Sequence, residues 1–170
     1  MNSAMVRPDY CLEHWRAVRE DAALAVEAMP AGKLDYRPQD DLMSFRQVAA
    51  HILDAGCGLA GLLLDGETDF TAPDFRRRLE RYRRPLPETP AAAAAALRDA
   101  VADHCRTLAC QTPEFFAGMV TKWDGSRLTR LEMLQFLIEH EVAHRMQLFV
   151  YLRMNGLVPP TTKRKLEAGR

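Results

Sequence analysis

"RLEMLQFLIEHEVAHRMQLFVYLRM", Arg130 to Met154, decides the fold. No Pro or Gly interrupts it, and its apolar residues recur every three or four positions, the spacing of a helix with one buried stripe. Thr129 and Glu132 make a capping box at its start. Asn155-Gly156 supplies a stop, and Pro159-Pro160 prevents continuation. Inside the segment, "HEVAH" (His140 to His144) carries the H-E-x-x-H spacing of zinc proteases. Two His four residues apart project from one helix face, and their ring nitrogens can converge on one ion. Met133, Leu137, Gln147 and Tyr151 share that face, so it is expected to point into a core. Two imidazoles buried there without partners would cost roughly 1–3 kcal/mol each; a shared metal ion would meet their need.

Three further segments show the same periodicity. The first runs from about Pro8 to Met29, with Tyr10/Cys11, Trp15, Val18, Ala22, Val26 and Met29 in one stripe, and Pro30, Gly32 and Pro38 close it. The second opens at Ser44, answered by Gln47 as capping-box partner, and continues to Gly66. Gly56, Gly58 and Gly61 inside it each cost about 1 kcal/mol relative to Ala, which points to close approach of a neighbouring helix, or of a ligand. The third starts at Thr89-Pro90, a cap followed by Pro at the first helical position, and its alanine run is helix propensity. Strand-like alternation is absent. The expectation is an all-α four-helix bundle, one domain over 1–160, with a polar, flexible tail over 161–170. The stretch from Asp65 to Pro90 is long enough to carry the chain back along the bundle, so that the second and third helices run parallel.

Composition narrows the function. Lys plus Arg and Asp plus Glu both number 23, for a net charge of zero, which removes the basic footprint of a nucleic-acid binder. The run "RRRLERYRR", Arg76 to Arg84, is diluted by Glu80 and reads as a solvated face. With no apolar leader and no uninterrupted apolar run of membrane-spanning length, the expectation is a cytoplasmic chain with no membrane partner. Cys11, Cys57, Cys105 and Cys110 show no C-x-x-C spacing and read as reduced structural thiols within helices.

A third ligand decides what the His pair is for. Downstream of His144 there is no His, and Glu167 stands alone in the tail. The H-x-x-G-x-x-H extension of one protease class is replaced by "HRMQLFVYLRM", and no sheet edge is available to align a peptide. The protease reading is therefore disfavoured. Upstream, His14, His51 and His104 are candidates. Small residues around His51 leave room for an ion between helices, and His104 stays open on the residues alone.

"KLDYRPQDDLMSFRQVAAHILD", Lys33 to Asp54, followed by "LIEHEVAHRMQLFVYLRMNGLVPP", Leu137 to Pro160, resembles the DinB-like (also called DinB/YfiT-like) family of bacterial metalloenzymes. The D-Y-R-P turn, a His about seven residues after the Ser cap, and the H-x-x-x-H-R-x-Q helix ending in Y-L-R-x-N-G carry the likeness over nearly the whole chain. It implies an up-down-down-up bundle and a homodimer. It also implies a divalent metal held by His51, His140 and His144, between the second and fourth long helices. Members commonly have Gly where this chain has Met146. Some resemble transferases or isomerases that use a low-molecular-weight thiol such as bacillithiol or mycothiol.

Three neutral His leave a coordination position open for water or substrate, the arrangement of a catalytic site. Zinc is the first expectation, with nickel, iron or manganese as alternatives, and a low-molecular-weight thiol as possible co-substrate. The function expected is a metal-dependent enzyme of the thiol-transferase or hydrolase type acting on a small molecule. A non-catalytic metal- or ligand-binding stress-response protein is the main rival, and a plain dimeric scaffold the third reading. Glu141 and Arg145 are candidate catalytic residues, Glu141 as a general base and Arg145 as partner to a substrate carboxylate. The competing expectation is that the two simply pair with each other at i,i+4. Asp54, one turn from His51, is a candidate partner for an imidazole N–H.

Overall fold

In the computed structural model, which describes residues 7–169, the chain runs α1 (Pro8–Ala28), α2 (Phe45–Leu64), α3 (Phe75–Glu80), α4 (Pro90–Ala109), α5 (Pro113–Ala117), β1 (Met119–Thr121), β2 (Arg127–Thr129), α6 (Arg130–Met154) and α7 (Pro160–Ala168). The caps read from the sequence are formed. Ser44 accepts from the Gln47 backbone while the Gln47 side chain answers the Ser44 N–H, and Thr129 and Glu132 do the same at α6. Pro8 and Pro90 open α1 and α4, where a missing N–H has no helical acceptor to forgo.

Two apolar clusters give the direction of each long helix. One joins the end of α1 (Ala22 to Met29), the start of α2 (Phe45 to Cys57), the start of α4 (Ala93 to Ala100) and the end of α6 (Leu148 to Leu152). The other joins the opposite ends: Cys11 to Val18, Leu59 to Leu63, Val101 to Leu108 and Met133 to Ile138. Helices α1 and α6 therefore run one way and α2 and α4 the other, an up-down-down-up four-helix bundle. The parallel α2 and α4 are permitted by the long connection between them, which holds α3.

A polar layer crosses the bundle between the two clusters. Arg19 of α1 and Glu141 of α6, each 1% exposed, form a two-pronged ion pair in which Arg19 Nε donates to Glu141 Oε2 at 2.9 Å and Nη2 donates to Oε1. Arg19 also donates to the carbonyls of Ile52 in α2 (3.3 Å) and Leu97 in α4 (3.4 Å), so one guanidinium touches all four helices. Gly56 makes room for it: a Cβ there would lie 2.2 Å from Arg19 Nη2. Gly58 and Gly61 likewise face the side chains of Leu79 and Tyr82. All three helical glycines thus serve close packing.

Two features depart from the sequence reading. Residues 119–129 form a short antiparallel hairpin, Val120 opposite Leu128, tied to the end of the α2–α3 link by hydrogen bonds between Thr121 and both Thr68 and Phe70. Three-residue strands are too brief to show alternation. The polar tail expected to be flexible contains helix α7, which Arg164 fastens to Asp21 of α1 at 2.6 Å and Thr162 to Arg153 at 2.9 Å.

The basic run behaves as a paired surface. Arg78 pairs with Glu67 and Asp74, Arg83 with Asp54, and Arg84 with Asp103. Helix α2 is long and apolar enough by composition to cross a membrane, and two thirds of its most apolar window is buried in the bundle. All four cysteines are free; Cys110, at the end of α4, is exposed and the others are buried.

Candidate metal centre

His140 and His144 lie on the side of α6 that meets α2, and His51 faces them from α2. The antiparallel packing of α2 and α6 brings residues 89 apart in sequence to 3.1 Å, between His51 Nε2 and His140 Nε2. The three ring centroids are 4.5 to 4.9 Å apart, and one nitrogen from each ring falls within 4.8 Å of the others. His14 stacks on Tyr10 and His104 on Trp15, outside the cluster. Of the upstream candidates, His51 is the one brought beside His140 and His144.

The donor set fits a metal. Two nitrogens bound tetrahedrally to zinc at 2.0–2.1 Å would be about 3.3 Å apart, close to the 3.1 Å seen. His140 Nδ1 is buried with no hydrogen-bond partner, so this imidazole finds its polar contact only in the cluster. One N–H···N bond between His51 and His140 leaves the third ring unused, whereas one ion can take a lone pair from each. Burial, then repulsion from His144 and His51, lowers the His140 pKa to about 4; burial and His144 also lower that of His51. Both rings are neutral at pH 7, the form that ligates.

His144 is oriented from behind. Its Nδ1 lies 3.2 Å from Gln147 Oε1, the Gln147 amide donates to Tyr151 OH at 2.9 Å, and the Tyr151 hydroxyl donates to the Met43 carbonyl at 3.0 Å. An Nδ1–H donated to Gln147 leaves Nε2 as the lone-pair nitrogen for the cluster. Gln147 and Tyr151 shared the His face in the sequence, at i+3 and i+7 from His144; that Tyr151 reaches the loop before α2 was visible only in the fold.

Glu141 and Arg145 do not pair with each other. Glu141 is held by Arg19, and Arg145 lies 3.3 Å from Asp21 on α1 and over the ring of Phe149. Both turn toward α1, and Glu141 gives no atom to the His cluster. Asp54 does not hydrogen-bond His51 either. Its Oδ2 pairs with Arg83 at 3.3 Å, while Oδ1 is buried without a partner.

Two cavities meet at His51 and Asp54. The larger, about 520 Å³, is mostly apolar, with Ala55, Leu59, Phe75, Leu79 and Trp123 among its walls. The smaller, about 430 Å³, opens past Met43, Gln47 and Arg37. Helix α3 and the hairpin, the elements least legible in the sequence, build the larger one.

The family model described as "DinB family" matches residues 1–168. No curated protein matches the chain in sequence. Among solved structures, the chain is similar to the DinB-like protein YjoA from Bacillus subtilis (20% identity, TM-score 0.68, covering 86% of this chain and 92% of that one). It is also similar to YfiT from Bacillus subtilis, described as "a probable metal-dependent hydrolase with an unusual four-helix bundle topology" (21% identity, TM-score 0.64, covering 92% and 94%). A mycothiol-dependent maleylpyruvate isomerase matches at 13% identity and TM-score 0.62, covering 84% of this chain and 61% of that one. At such identities the likeness is one of fold.

Proposed function

The chain belongs to the DinB family, and on that premise we propose that it is a metal-dependent enzyme in which His51, His140 and His144 hold a divalent cation, zinc in the first instance. The observation that carries the reading is the convergence of three imidazole nitrogens from two helices beside a cavity of about 520 Å³. A cation held there supplies Lewis acidity, lowering the pKa of a bound water or low-molecular-weight thiol.

The chain's own groups do the rest. Asp54, with a free buried oxygen on the cavity wall, accepts the proton of the incoming nucleophile. Phe75, Leu79 and Trp123 exclude water from an apolar electrophilic substrate. Gln147 and Tyr151 keep His144 in its ligating tautomer. Glu141 is a structural residue in this scheme, since protonating it would leave Arg19 unpaired. A small-molecule reaction of the thiol-transfer or hydrolytic kind fits a cavity of this size and character.

Elemental analysis of purified protein tests the site. About one equivalent of metal is expected, lost in His51→Ala and His144→Ala and kept in the surface variant His14→Ala; equal content in all four would refute the ligand set. A screen of low-molecular-weight thiols with apolar electrophiles, run beside an ester hydrolysis screen, tests the chemistry. Asp54→Asn is expected to keep its metal and lose turnover by 10²-fold or more, roughly the contribution of a general base.

A further inference from the structure

The basic run from Arg76 to Arg84 divides by what its members face. Arg77, Arg78, Arg81 and Arg84 are engaged by the protein. Arg77 donates to Asp74 at 3.4 Å, Arg78 donates to the Asp69 carbonyl at 2.9 Å and pairs with Glu67, Arg81 lies 3.7 Å from Glu67, and Arg84 donates to Asp103 at 3.5 Å. Arg76 and Arg83 are the two that line the larger cavity beside the His cluster. Among the described residues Arg76 makes no hydrogen bond or ion pair, and Arg83 meets only Asp54, through Nε at 3.3 Å. An exposed pair of that kind is weakly held, and no hydrogen bond engages the Nη1–Nη2 edge of Arg83. Arg83 also borders the smaller cavity with His51 and Asp54, so it stands where both cavities reach the imidazoles.

We propose that Arg76 and Arg83 set the specificity of this cavity, and that its substrate is a small apolar molecule bearing a carboxylate; this rests on the reading of the His cluster as a metal centre. A guanidinium presents a planar fork of N–H donors that a carboxylate can bridge with two hydrogen bonds. Phe75, Leu79 and Trp123 on the same wall suit an apolar body. The sign of the ligand's charge follows from a count of the wall. Asp54 and Glu80 also line it, so two carboxylates offset the two guanidiniums. A divalent cation on neutral imidazoles then leaves the site net positive, in a cleft of hydrocarbon walls that attracts an anion and disfavours a cation. The carboxylate-binding part suggested by the sequence for Arg145 falls instead to the basic run, since Arg145 is turned to Asp21 on α1. A carboxylate taken up by Arg83 competes with Asp54 for the guanidinium, and so leaves Asp54 free to accept a proton.

Calorimetric titration of the protein as purified tests this with three probes of one shape: 4-phenylbutyrate, the neutral 4-phenylbutan-1-ol and the cationic 4-phenylbutylamine. The carboxylate is expected to bind roughly tenfold tighter than the alcohol, the gain from charge-assisted hydrogen bonds, and the amine more weakly than the alcohol. R76M and R83M are each expected to reduce that preference, and R76M/R83M to abolish it, while the alcohol binds as in wild type because Met keeps an apolar stem. Retained alcohol binding shows that the variants are folded. R77M, in the same run but paired with Asp74, is expected to match wild type. No preference for the carboxylate in wild type, a preference that survives R76M/R83M, or an equal loss in R77M would each overturn the proposal. Metal content of the same samples reports on the metal centre separately. Protein with about one equivalent of metal and no carboxylate preference would refute the arginine assignment alone. Protein without metal whose carboxylate preference is lost in R76M/R83M would uphold that assignment and count against the metal centre.

Discussion

A buried carboxylate and a buried guanidinium are held together by what each would cost alone. Removing one member of such a pair strands the other's charge in the core, a loss of about 3–5 kcal/mol. Glu141→Ala and Arg19→Met are expected to show losses of that size in urea unfolding. Arg19→Met/Glu141→Leu is expected to be much less destabilised than the sum of the two. Additive losses would mean that the two groups do not act as a unit. The H-E-x-x-H motif therefore divides its labour: its histidines face α2 and its glutamate faces α1. Sequence spacing showed that the Glu points away from the His pair, but it favoured Arg145 as partner because i,i+4 neighbours are the pairs a single helix displays. Arg19, 122 residues away, enters through the packing of α1 on α6, and nothing local marks it. For the histidine cluster the position is reversed: His140 and His144 were legible from their spacing, and His51 was preferred for the small residues around it, although the residues alone left His104 open.

Glycines set how closely α2 is approached, and they differ in what they face. A Cβ at Gly56 would meet Arg19 Nη2 at 2.2 Å and Glu141 Oε1 at 2.8 Å, two atoms fixed by each other and by helix carbonyls. At Gly58 it would meet Leu79 Cδ2 at 2.7 Å, the far end of a flexible side chain that also walls the larger cavity. Gly56→Ala is thus expected to lower the denaturation midpoint markedly. Gly58→Ala gains about 1 kcal/mol of helix propensity against the cost of shifting Leu79, so its stability is expected to change little while substrate KM changes. Equal destabilisation by the two would contradict this assignment. The four long helices were legible because each repeats its apolar stripe over several turns between recognisable caps. Helices α3 and α5 and the hairpin offer too few residues for a period to emerge. Helix α7, polar almost throughout, owes its place to Asp21, a carboxylate of α1 shared by Arg145 and Arg164.

Acid acts on the molecule as a whole through its buried imidazoles. Burial, with Arg84 and Arg19 nearby, lowers the His104 pKa from 6.5 to about 4. Between those values the unfolded chain binds a proton that the folded chain refuses, so stability is full above pH 6.5 and falls as pH drops toward 4. His51 and His140 act in the same direction. Thermal midpoints of metal-free protein are expected to decline from pH 7 to 4.5, less steeply in His104→Gln; a flat profile in the parent would contradict the burial argument. The topology was half legible at this scale: the long connection implied parallel α2 and α4, while the split of the core into two clusters around a charged layer was not, because no residue of that layer is unusual in its own segment. That layer also works as an index mark. Sliding α6 along α1 by one turn, about 5.4 Å, would set both charges against hydrocarbon, so only one axial alignment of the helices is tolerated. Glu141 adjoins His140 in sequence, and the Ile52 carbonyl that Arg19 grips adjoins His51. The axial placement of the three imidazoles is thereby inherited from a mark set one residue away on each helix.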